Sequence, residues 1–143
     1  MKKLTLDTNI LISGTFWTGA SFKILERIDQ KIDASVSSKD ILLEYERIIK
    51  GEEIAEKVEN KDLLMSNVSQ KVIINSTIVE PKEKLHVVKD DPNDNIILEC
   101  AKEGKVDYVI TNDKHLLNIK EFEGIKILTP ESFLMQIKNE TIK

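Results

Sequence analysis

The sequence lacks most of the special devices on which small proteins rely. Its one cysteine, Cys100, excludes an intramolecular disulfide framework and supplies no thiolate zinc cage by itself. Five glycines and three prolines among 143 residues leave no collagen-like or linker-like tract. The only histidines are His86 and His115, little material for a zinc site or a histidine-based phosphodiesterase. Arginine is confined to Arg27 and Arg47, so bidentate phosphate clamps are scarce and lysine must carry most phosphate contacts that a metal does not. No apolar run approaches the roughly 18 residues of a membrane span. Met1-Lys2-Lys3 leads straight into Leu4-Thr5-Leu6 without the apolar stretch of a signal peptide, so a cytoplasmic protein with no membrane association is expected.

What remains is an ordinary globular composition, with 41% hydrophobic and 32% charged residues. The length suits one domain over 1–143 with a real core. Twenty-one basic residues stand against 25 acidic, a formal net charge of −4. That argues against a protein that holds nucleic acid by a broad positive field. A nuclease is still compatible with it, because acids gathered around a metal lower the net charge while the metal itself attracts phosphate.

Strand and helix signals alternate along the chain. Leu4 to Leu6 reads as a strand leading into a turn at Asp7-Thr8-Asn9, and Gly19 to Gln30 as a helix on the spacing of Phe22, Ile24, Leu25 and Ile28. Ala34 to Ser37 reads as a second strand. Ser37 and Asp40 form a capping-box-like start to a helix through Lys50. A charged stretch over 52–62 and an apolar-rich stretch over 63–74 predict a helical arm, followed by a strand at Thr77 to Val79 and a solvated loop at Lys82 to Lys84. Asp91 as N-cap and Pro92 as the first helical residue start a helix that stops at Gly104. Tyr108 to Ile110 and Ile125 to Leu128 read as strands, with a final helix opened by Pro130. Such alternation predicts an α/β fold: a Rossmann-like, three-layer arrangement with a parallel sheet between helices.

In open α/β sheets the ligand crevice lies beyond the carboxyl ends of the strands. Asp7 ends the first strand, and Asp113 closely follows the strand Tyr108 to Ile110. Glu44, three residues after Ile41 and four before Ile48, flanks an apolar stripe, and Asp94 borders the face carrying Ile97 and Leu98. Four carboxylates at the margin of a core are costly unless a cation joins them. Each also has a plainer reading: a turn residue for Asp7, a solvated helix acid for Glu44, a helix-dipole partner for Asp94, and a cap of the short helix Lys114 to Leu117 for Asp113.

The order and spacing of these pieces resemble the PIN domain. The pieces are Asp7-Thr8-Asn9, Leu43-Glu44, Asp91-Pro92-Asn93-Asp94-Asn95 with Leu98-Glu99-Cys100-Ala101, Val109-Ile110-Thr111-Asn112-Asp113 and the closing Thr129 to Leu134. The branch they look most like comprises toxin components of toxin–antitoxin systems, relatives of the VapC-type toxins. The resemblance implies a metal-dependent ribonuclease that leaves a 5′-phosphate and a 3′-hydroxyl. Asp7, Glu44, Asp94 and Asp113 would be the catalytic acids holding Mg²⁺ or Mn²⁺, with Asn9 and Thr111 supporting them by hydrogen bonding. Asp91 and Glu99 match acids common in this branch and are read as an N-cap and as a surface or dimer residue. It also implies an RNA substrate, a possible cognate antitoxin and a homodimer, to which the Phe16-Trp17 pair could contribute. Oxygen-rich ligands suit Mg²⁺ and Mn²⁺ independently of the resemblance.

Rival classes fit less well. A haloacid-dehalogenase-like phosphohydrolase needs a second Asp two residues after Asp7, where this chain has Asn9. A response-regulator receiver needs an acidic pair near the first strand and a phosphoacceptor Asp after the third. The reading of another class that stays open is a PIN-like module that binds metal or RNA without cleaving. Cys100 falls on the apolar side of its helix and reads as core rather than nucleophile.

Overall fold

The computed structural model describes residues 1–16, 19–50, 74–89 and 91–142. Six strands and six helices occur among them. The first half contains β1 (Lys2–Leu6), α1 (Thr8–Phe16), α2 (Ala20–Asp29), β2 (Asp33–Ser38), α3 (Lys39–Ile49) and β3 (Ser76–Val79). The second contains α4 (Pro92–Gly104), β4 (Tyr108–Ile110), α5 (Lys114–Ile119), β5 (Glu121–Phe122), β6 (Ile125–Leu128) and α6 (Pro130–Ile142). Apart from Ile74, the expected helical arm lies outside the described residues, as does Trp17 of the Phe16-Trp17 pair.

The sheet runs in the order β3-β2-β1-β4-β6-β5. Its pairs are parallel except for β5, which meets β6 antiparallel at one edge. The chain steps outward from β1 through β2 to β3, then returns to place β4 on the other side of β1. The strand order therefore reverses between β1 and β4, and it is there that the crevice of an open α/β sheet forms. Leu4, Thr5 and Leu6 alternate across the sheet yet are all buried. Thr5 meets Cys100 of α4 at 3.9 Å, so α4 covers one face, and the burial of Leu4 and Leu6 shows that the other is covered too. The expected α/β layering is the one observed.

Several local differences have clear causes. The turn expected after Asp7 is a helix, α1, which begins at once. Ile10, Leu11 and Ile12 are all buried, so apolar residues lie on several faces and no helical period is visible in sequence. The N-cap of α3 is Ser38 rather than Ser37, its hydroxyl accepting from the Ile41 N–H at 3.4 Å. Asp91 caps α4 as expected, accepting from the N–H groups of Asn93 and Asp94. Glu99, expected at a surface or dimer contact, is half-buried and accepts the Leu85 N–H at 2.8 Å. Cys100 is fully buried, and burial pushes its thiol up to about 11, which fits a core residue.

Candidate acidic site at the sheet switch point

The β1–β4 pairing fixes the first part of the site. Leu6 lies opposite Ile110, and the Asp7 N–H continues the ladder to the Ile110 carbonyl at 3.0 Å. Asp7 thus leaves β1 beside the end of β4, and its own carbonyl accepts from Ile10 and Leu11 to open α1. Its carboxylate accepts the Thr111 hydroxyl at 2.7 Å. The Thr111 oxygen in turn accepts the Asp113 N–H at 2.9 Å, so one buried threonine ties the two strand ends together. Burial raises the Asp7 pKa, aided by the charge of Asp113, while Thr111 and the backbone N–H groups of Asn9 and Thr8 oppose the rise. The Asn9 side chain is exposed, and it is the Asn9 backbone that supports Asp7.

Glu44 comes from α3. Its side chain is 19% exposed, against the solvated default for a helix acid, and its pKa is raised by burial and by Asp7, with Arg47 opposing. The Thr8 hydroxyl approaches it at 3.5 Å and Arg47 Nη2 at 3.9 Å.

Asp94 stands in the first turn of α4 and is 4% exposed. Its Oδ2 is buried with no hydrogen-bond partner. Burial, then the charge of Asp113 and the approach of its carboxyl group, which favours a proton shared between the two, then the charges of Asp91 and Asp7, push its pKa up to about 8. Asp113 is itself the N-cap of α5, its Oδ1 accepting from the N–H groups of His115 and Leu116. The plainer capping reading of Asp113 therefore holds together with its place beside Asp94.

The four acids expected from the sequence thus share one electrostatic neighbourhood, but the tightest cluster has a different membership. Among the described residues, one ligand atom each from Asp91, Asp94, Asp113 and His115 lie within 4.8 Å of one another. Asp7, held by Thr111, and Glu44 stand outside that group. In the sequence, a lone histidine two residues after an acid carries no ligand signal, so His115 is not among the expected site residues. Only the turn into α5 folds its ring back toward Asp94.

Fold and site together define an α/β protein with a cluster of acids at the switch point of its sheet. The family model of the PIN domain matches residues 3–115, most of the chain, and the chain belongs to that family. Among solved structures, one similar chain is from the "Crystal structure of VapBC2 from Rickettsia felis bound to a DNA fragment from their promoter". It is 16% identical, with a TM-score of 0.59, covering 87% of this chain and 96% of that one, a likeness of fold. No curated protein matches the sequence. Among the described residues no helix is long and apolar enough to cross a membrane.

Proposed function

We propose that the protein is a metal-dependent endoribonuclease, the toxin of a toxin–antitoxin pair, with the whole chain 1–143 acting as one cytoplasmic PIN domain. The observation that carries this reading is the orphaned Asp94 Oδ2, buried among like charges without a hydrogen-bond donor. An acid in that position is relieved by a proton or a cation, and hard carboxylate oxygens suit Mg²⁺ or Mn²⁺. Asp7, Glu44, Asp94 and Asp113 would hold the ion, with Thr111 and the backbone of Asn9 orienting Asp7. When bound, such an ion polarises a phosphoryl oxygen and lowers the pKa of its water. The chain's own share is to fix the acids on rigid strand ends and helix starts. The likeness to a chain of a VapBC complex supports an antitoxin partner, and RNA is the substrate that the family assignment favours.

The test is cleavage of a structured RNA pool by wild type and Asp94→Asn in EDTA, Mg²⁺, Mn²⁺ and Ca²⁺. Cleavage by wild type in Mg²⁺ or Mn²⁺ alone, abolished in the variant, is expected. Ca²⁺ should support little, because its looser shell does not align an attacking water. Metal and RNA binding without cleavage would instead establish the non-cleaving module.

A further inference from the structure

We propose that His115 and Asp91 complete the ion-binding set around Asp94 and Asp113, giving a site with one imidazole nitrogen that prefers Mn²⁺ to Mg²⁺. The proposal rests on the reading that this crevice binds a divalent ion, and it specifies which ion and through which atoms.

Three observations converge. His115 Nδ1 lies 3.8 Å from Asp94 Oδ2 and 3.9 Å from Asp113 Oδ1. Both separations are too long for hydrogen bonds. They are the spacing an ion spans, since ligand atoms about 2.1 Å from an octahedral ion stand about 3 Å apart when adjacent and about 4 Å when opposite. The oxygen facing His115, Asp94 Oδ2, is the orphaned atom of a residue 4% exposed. A surface histidine beside solvated acids would leave no such atom buried and unpartnered. Asp91 uses Oδ1 to cap α4 and still contributes a carboxylate oxygen to the cluster.

The donor set decides the selectivity. Carboxylates alone bind Mg²⁺ and Mn²⁺ through the same hard oxygen chemistry. An imidazole nitrogen favours the transition ion, whereas Mg²⁺ gives up water for nitrogen reluctantly. His115 is 65% exposed and on a short helix, so its ring can close onto an ion without moving the core.

The experiment is metal titration by calorimetry on the full chain, paired with pulsed electron paramagnetic resonance of bound Mn²⁺. His115→Gln is the probe, His86→Gln the control and Asp94→Asn the check on the underlying site. Wild type and the His86 variant should bind Mn²⁺ with nitrogen-14 modulation from a directly bound imidazole. His115→Gln should lose the modulation and on the order of tenfold in Mn²⁺ affinity, with Mg²⁺ binding changed far less. Asp91→Asn, which retains a good N-cap, should weaken the binding of both ions. Mn²⁺ binding that needs Asp94 but is indifferent to His115→Gln would overturn this proposal and leave the acidic site standing. A wild type that binds neither ion would overturn both.

Discussion

Asp94 is held at the start of α4 by its own backbone, while its side chain enters a crowd of like charges. Without metal the crowd is relieved by protonation, and the linkage sign follows from that. The folded pKa, about 8, lies above the unfolded value of about 4, so the folded state holds a proton that the unfolded chain has released between those limits. Apo wild type should therefore lose stability as pH rises from about 4 to about 8 and level off above. Asp94→Asn removes the charge and places an amide donor among carboxylates, so in EDTA it should melt above wild type at neutral pH. That advantage should vanish below about pH 4. Helix-dipole loss of about 0.3 to 1 kcal/mol opposes the gain but is too small to reverse it. Melts of both proteins across pH decide the matter; an apo variant that melts below wild type at pH 7 would reduce Asp94 to a helix-start residue. Saturating Mn²⁺ should raise the wild type more than the variant and narrow the gap between them, since at about 100 times Kd a ligand adds about 2.7 kcal/mol to the state that binds it.

At the scale of elements, α4 does more than present Asp94. Asn95, Glu99 and Glu103, spaced four apart on one face, receive the backbone of the loop that precedes the helix. Val88 N–H reaches Asn95 Oδ1 at 2.9 Å, Leu85 N–H reaches Glu99 at 2.8 Å and Lys82 N–H reaches Glu103 at 3.1 Å. Asn95 also donates to the Val88 and Asp91 carbonyls, so one side chain joins the loop to the cap that carries Asp91. Asn95→Ala should cost about 1 to 2 kcal/mol, because it leaves the half-buried Val88 N–H and carbonyl without their side-chain partner. Hydrogen exchange at Val88 should accelerate beyond the global change. Exchange at Val88 that merely follows global stability would mean the loop is fixed by other contacts.

For the whole molecule, a net charge of −4 means that the proposed RNA substrate would have to be drawn in by the proposed ion and by local lysines rather than by the protein's overall field. Binding of RNA to a cleavage-silent Ca²⁺ form should therefore collapse in EDTA. A twofold dimer, the commonest closed assembly, is the state that the family resemblance implies. Light scattering at tens of micromolar should give twice the 16.3 kDa of the chain, and a mass of one chain would refute it.

The alternation of strand and helix signals, the capping of α4 by Asp91 and Pro92, and the acids at the ends of β1 and β4 follow from the sequence, because each rests on local backbone chemistry or on period. Those local signals also put Asp7 and Asp113 at or just past strand ends and Glu44 and Asp94 beside apolar stripes. Helix α1 was illegible because burial on several sides erases the period that marks a surface helix. The pairing of Asp91 and His115 across 24 positions, and the bridge of Thr111 between Asp7 and Asp113, were decided by tertiary structure alone. They depend on β4 returning beside β1 and on the turn into α5, and the distances among side chains so assembled leave no trace in the spacing of residues along the chain.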